Sequence, residues 1–194
     1  KPFSYPWAYD AFLMSEKMHW LHTEVPMIED VNDWKNKLTE SEKQFLTHIF
    51  RFFTQGDIDV AGAYVTNYLP NFPAPEVRMM LSSFAAREAI HVASYSHLIE
   101  TLGMPETTYN EFLQYEEMKA KHDYIESFIM QDERSKAQQI AVFSAFTEGM
   151  QLFSSFIMLL NFARFGKMKG MGQIIVYSIA DESHHTDSMI RLFR

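Results

Sequence analysis

Two short segments of this chain repeat one chemical arrangement. Glu88-Ala89-Ile90-His91 and Glu182-Ser183-His184-His185 each place a carboxylate three residues before an imidazole. On a helix, positions i and i+3 share a face, so both side chains of each turn can reach one ion. Isolated turns of this kind arise by chance on solvated helices. Here both lie on apolar stripes: Leu81, Phe84, Tyr95 and Leu98 flank the first, and Ile175, Ile179 and Met189 flank the second. Charges aimed into a core need compensation of several kcal/mol. A metal ion supplies it.

Lone carboxylates stand where a metal pair needs them. Glu148 is the only charge between Ile140 and Ala163, and Asp57 follows an aromatic run in FFTQGDIDVAGAY. Together these make one carboxylate from each of two helices and one Glu-x-x-His turn from each of two others, the ligand pattern of di-metal helix bundles. Asp59 is two residues from Asp57, and a helix turns it away. His184 shares a face with Glu182 less well than His185 does. His19, His22, His48, His97 and His122 lack a carboxylate at the required spacing in a buried setting, and read as surface or ordinary core histidines.

Tyr95 stands four residues after His91, on the ligand-bearing face. Alone it reads as a core tyrosine. Beside a metal pair that activates dioxygen, it is placed to lose one electron. A phenoxyl radical survives only where solvent and reductants are excluded. Leu152 and Phe156, at +4 and +8 from Glu148, are expected to help form that dry pocket.

Composition narrows the metal and the setting. The 194 residues are 47% apolar, enough for one domain with a sizeable core. With Cys 0, disulfides and thiolate chemistry are excluded, and His and carboxylate ligands suit iron, manganese or zinc. The net charge of −8 argues against a nucleic-acid surface. No cationic-apolar leader is recognisable, and a cytoplasmic setting is expected. Residues 140–163 are long and apolar enough to span a bilayer. Glu148, Gln151 and Asn161 inside the run favour a buried core helix, with no membrane partner.

The elements that must position these groups are helices. Residues 1–33 read as an irregular arm with a short helix near 8–19. Thr39-Glu40-Ser41-Glu42 is a capping box, and a helix follows over 40–69. Further helices are expected over 75–102, stopped by Gly103; over 106–131; over 134–165, ending near Gly166; and from 170 to the end. No alternation of period two competes over a long stretch. The expected fold is an all-α, single-domain helix bundle over residues 1–194, with the di-metal carboxylate site in its core.

Several segments together resemble a known family, the ferritin-like small, radical-generating subunit of class I ribonucleotide reductase. They are WLHTEVPMIEDVNDW at 20–34, SEKQFLTHIFRFFTQGD at 41–57, REAIHVASYSHLIE at 87–100, TEGMQLFSSF at 147–156 and IADESHHT at 179–186. The resemblance implies that Asp57, Glu88 and His91 hold one metal, and Glu148, Glu182 and His185 the other. It implies two iron ions first, with Mn/Mn or Mn/Fe pairs as alternatives, joined by an oxo bridge derived from dioxygen. Tyr95 falls on the family's radical tyrosine. Trp20 and Asp181 fall on the pair that links the surface to the metal-bound histidine, here His91. The implied activity is that of a ribonucleoside-diphosphate reductase small subunit, a homodimer that passes its oxidising equivalent to a large subunit. The missing thiols agree with that division of labour.

The chain departs from the family pattern in places. Ser178 stands where the family usually has a branched aliphatic residue. The interval between the second and fourth long helices is short. The family continues beyond the position of Arg194 with more helices and a tail, so the chain reads as a fragment or an ordered part. Three rival readings share many of these residues. They are another ferritin-like oxidase (ligand-binding oxidase or hydroxylase), a ferritin-type iron store, and a plain bundle whose ligands form salt bridges.

Overall fold

The computed structural model describes residues 2–105, 107 and 115–194. Among them every regular element is a helix. The N-terminal arm is more ordered than expected. Helix α1 (Pro6–Lys17) starts with proline in its first turn, where the missing N–H costs nothing. A short 3-10 turn (His22–Glu24) and a second helix, α2 (Ile28–Asn36), follow. The expectation of irregular chain up to residue 33 therefore misses α2. Its nine residues are mostly polar, and the groups that seat this helix lie in a distant segment, described below.

Four long helices form the bundle. The first is α3 (Glu40–Ala63), which runs on through a wider π stretch (Tyr64–Tyr68) and a last turn (Leu69–Asn71). Its expected capping box is present: Thr39 Oγ1 accepts from Glu42 N–H, while Glu42 Oε2 accepts from Thr39 N–H. Helix α4 (Pro75–Thr101) is the second. It stops at Gly103, whose φ of 70° is left-handed. Helix α5 (Glu116–Glu126) lies beside the bundle. The start of the helix expected over 106–131 lies largely outside the described residues. Its end comes five residues early, because the chain must reverse into Asp132, which caps the next helix by accepting from Ser135 N–H at 2.7 Å. That next helix, α6 (Glu133–Ile140), passes through a long π stretch (Ala141–Leu152) into α7 (Phe153–Arg164). The last, α8 (Lys169–Phe193), follows a left-handed Gly166.

Helix α3 packs along α4, and α8 packs along the π stretch and α7. Each pair therefore supplies one lone carboxylate and one Glu-x-x-His turn. The run from Glu133 to Arg164 is long and apolar enough to cross a membrane by length and composition. It is less buried than a core helix: Phe143, Leu152, Phe156 and Leu159 are inside, while Phe146, Met150 and Ile157 face outward.

Two buried apolar clusters fill the bundle. One holds Phe50, Phe53, Tyr95, Leu98, Leu152, Phe156 and Ile175. The other holds Val60, Tyr64, Tyr68, Leu81, Phe84, Phe143 and Met189. The sequence-predicted ligands fall between the two sets along every long helix. A polar layer is thereby closed off by dry side chains above and below.

Helix α2 explains how α8 is seated. The buried Asp30 carboxylate accepts from Gly170 N–H and Met171 N–H, both at 2.8 Å. Asp33 accepts from Met168 N–H at 2.9 Å. Three of the first amides of α8 are thus satisfied by side chains from 135 to 141 residues away. The helix dipole favours anions there. Burial pushes the Asp30 pKa up, while these amides pull against it. The approach leaves no room for a side chain at 170: a Cβ there would meet Asp30 Oδ2 at 2.7 Å and Pro26 O at 2.8 Å. Gly170→Ala is expected to lower stability by about 1–3 kcal/mol through overpacking. Chemical denaturation measures this, and an unshifted midpoint would contradict the close approach.

Candidate metal centre

The six sequence-predicted ligands are fully buried. Phe53 and Val60 bracket Asp57 on α3, and Phe84 and Tyr95 bracket Glu88 and His91 on α4. Glu148 sits inside the π stretch before α7. There Thr147 Oγ1 bonds the carbonyl of Val142, five residues back. Wide turns of this kind are frequent at functional sites. Glu182 and His185 share one face of α8.

The groups converge. Ligand atoms of Glu88, Glu148, Glu182 and His185 all lie within 4.8 Å of one another. His185 Nδ1 is 3.0 Å from Glu88 Oε1 and 3.7 Å from Glu182 Oε2. His91 Nδ1 is 3.4 Å from Glu88 Oε2 and 3.1 Å from Glu182 Oε1. Glu88 and Glu182 thus stand between the two imidazoles, whose ring centres are 6.5 Å apart. Asp57 completes the set, close enough that the charges of His91, Glu88 and Glu182 act on it.

The donor set fits metal ions better than a salt-bridge network. Both oxygens of Glu88 and Glu182, Glu148 Oε2, Asp57 Oδ2 and both ring nitrogens of His185 are buried with no hydrogen bond of satisfying geometry, close as some of them lie to one another. Such unsatisfied atoms are rare in a protein interior. Fully ionised, the four carboxylates would carry four negative charges, which two divalent cations would balance. Oxygen and imidazole donors suit iron or manganese.

The remaining predicted residues gather around the same layer. Asp181 Oδ2 lies 3.0 Å from His91 Nε2 and accepts from Trp20 Nε1 at 2.8 Å. Such an acceptor fixes the orientation of a ligating imidazole. Trp20 stacks on His91 at 5.9 Å, and a surface cavity of about 270 Å³ opens beside Trp20, Tyr177 and Asp181. Tyr95 is 1% exposed and stacks on Phe53 at 4.7 Å, which in turn stacks on Phe156 at 5.2 Å. Its hydroxyl has no hydrogen-bond partner in satisfying geometry, although Ser178 lies next to it. Burial and nearby Asp57 push its pKa well up, so it is a neutral phenol.

Residues set aside as ligands do lie elsewhere. His184 turns away to bond the Ala11 carbonyl at 2.8 Å. Asp59 is buried but away from the layer, held by Gln55 Nε2 at 2.7 Å and His122 Nδ1 at 2.8 Å. His122 therefore has a carboxylate partner after all, 63 residues away and invisible to local spacing. One residue of the site escapes the sequence reading. The buried Tyr64 hydroxyl donates to Glu148 Oε1 at 2.9 Å. Its place seven residues after Asp57, two turns along the same face, was the available signal.

The protein groups alone divide their protons unevenly. Burial would raise Glu88, but His91 and His185 hold it down to about 2. Burial would lower His185, but Glu182 and Glu88 lift it to about 10. His91 is raised in the same way, chiefly by Glu88. Burial and neighbouring carboxylates push Asp57 and Glu148 well up. At neutral pH His185 holds a proton that ligation must displace. Cation uptake should therefore release protons, and affinity should weaken by about tenfold per pH unit for each proton displaced as pH falls. Calorimetry in buffers of different ionisation enthalpy measures the release, and heats independent of the buffer would refute it.

Comparison with known proteins agrees with this architecture. A family model described as the ribonucleotide reductase small chain matches residues 1–194. A protein of Invertebrate iridescent virus 6, named as a probable ribonucleoside-diphosphate reductase small subunit, is 57% identical over 208 aligned positions. The match covers 100% of this chain and 58% of that protein. The chain thus spans a little over half of such relatives. The solved R2 subunit of Clostridium botulinum ribonucleotide reductase superposes with a TM-score of 0.87 at 24% identity, over 97% of this chain and 61% of that one. The dimanganese(II) NrdF of Streptococcus sanguinis gives 0.82 at 21% identity, over 96% and 65%. With the whole chain matched and a ligand layer of this make-up at its centre, the protein belongs to the ribonucleotide reductase small-chain family.

Proposed function

We propose that the chain is the working core of a class I ribonucleoside-diphosphate reductase small subunit, which stores an oxidising equivalent on Tyr95 and passes it to a large subunit. The observation that carries this reading is the line His91–Asp181–Trp20, with contacts of 3.0 and 2.8 Å, running from the ligand layer to a surface cavity. Metal storage and substrate hydroxylation need no such line.

Asp57, Glu88 and His91 would hold one cation, and Glu148, Glu182 and His185 the other. An iron pair is the first expectation, and manganese or a mixed pair suits the same donors. When bound, the pair supplies oxidising power drawn from dioxygen. The rest is the work of this chain's own side chains. Phe53 and Phe156 keep water from Tyr95, so a radical on its ring is sheltered. Asp181 orients His91 and joins it to Trp20, so an electron can travel inward along bonded groups. The cavity at Trp20 marks the side from which the large subunit would approach. With no cysteine in this chain, the reducing thiols belong to that partner. A homodimer in a soluble, cytoplasmic setting goes with this reading. A ligand-binding oxidase is the less favoured alternative: it would keep the six ligands without needing Trp20.

Tyr95→Phe should retain metal but lose the wild-type phenoxyl signal in electron paramagnetic resonance after the reduced protein meets air. An unchanged signal would remove Tyr95 from its role. His185→Ala should weaken metal binding by more than the roughly 10- to 100-fold that loss of an outer-shell partner costs; undiminished occupancy counts against the ligand set. Trp20→Phe should keep the phenoxyl signal while ribonucleotide reduction with the large subunit falls to background. Wild-type turnover in that variant would rule the line out as the route.

A further inference from the structure

Resting on the di-metal reading above, we propose that Tyr64 is a positioning residue that ties Glu148 to a single cation of the pair. Its phenol occupies Glu148 Oε1 at 2.9 Å. The other oxygen, Oε2, is buried with no partner and is left as the free ligand atom. A carboxylate with one oxygen engaged by a donor is a poorer chelate and a poorer bridge. Glu148 would therefore hold one cation through its other oxygen, while Glu88 and Glu182, each facing both imidazoles and neither tied by a phenol, would be the carboxylates left to serve both cations.

The phenol is built to stay in place. Tyr64 is 1% exposed. Its ring meets His185 edge-on at 6.1 Å, Phe84 at 6.0 Å and Tyr68 at 5.4 Å. These three rings wall it in on the protein side, away from solvent. The backbone contributes as well. Tyr64 opens one π stretch and Glu148 lies within the other, so the bond joins the two places where the bundle helices widen. A packing role alone does not account for the hydroxyl, since phenylalanine would fill the same walls. A buried hydroxyl costs desolvation unless it is bonded, and Glu148 is the partner this one has. Tyr68, in the same wall, differs: its hydroxyl reaches only the Gln139 carbonyl, at 3.5 Å.

Manganese(II) titration followed by electron paramagnetic resonance tests this on the full chain. Wild type and Tyr68→Phe should bind two ions and give the same exchange-coupled spectrum. In Tyr64→Phe the first ion should bind as in wild type and the second about 10- to 100-fold more weakly, with an altered coupled spectrum. A titration and spectrum superimposing on wild type would overturn the proposal. So would an equal loss in Tyr68→Phe, which would make the effect one of packing. Should Tyr64→Phe not fold, 3-fluorotyrosine at position 64 preserves the shape and changes only the donor; an unaltered coupled spectrum then overturns the proposal. Failure of wild type to take up a pair of ions would instead sink the di-metal reading, and this one with it.

Discussion

Four carboxylates share one dry layer of this bundle. Asp57, Glu88, Glu148 and Glu182 are each 1% exposed or less, and a metal cluster is the inexpensive way to hold so much charge together. Burial first, and repulsion between them second, make the proton distribution uneven: Glu148 is pushed up, while the imidazoles of His91 and His185 hold Glu88 ionised. The layer is closed above and below by apolar clusters. Water would relieve the repulsion, and the two apolar clusters keep it out.

That constraint reaches outward through the helices. A layer built from four helices has correct geometry only if each helix has the correct rotation and height. Helix α8, which brings Asp181, Glu182 and His185, is held at its start by two aspartates from α2. Gly170 permits that contact because no Cβ fits there, and Gly172 does the same against Ala163, where a Cβ would come within 2.6 Å. The widened turns in the third and sixth helical runs alter the rotation of Tyr64 and Glu148 without breaking the rods. Position in the carboxylate and imidazole layer is therefore set by devices at its borders as much as by the groups within it.

Asymmetry is added to a nearly symmetric frame. Each helix pair gives a lone carboxylate and a Glu-x-x-His turn. Yet only His91 has the Asp181–Trp20 extension, while His185 Nε2 has no hydrogen-bond partner. Tyr95 lies on the same helix as His91, and Tyr64 on the opposite side contacts Glu148. One side thus faces the surface through hydrogen bonds, and the other is closed by aromatic rings.

The long helices and the burial of Asp57, Glu88, His91, Tyr95, Glu148, Glu182 and His185 in one layer were legible in the sequence, because they depend on local regularities: i and i+3 spacing, apolar stripes, a capping box and glycine stops. Helix α2, the widened turns, the Asp59–His122 pair and the Tyr64–Glu148 bond were not. Each owes its form to groups far apart in the chain, which no local period records. The sequence by itself determined which side chains are buried together on each helix. The tertiary structure decided which atoms of those side chains meet, because that depends on the rotation and height of helices fixed by contacts more than 100 residues apart.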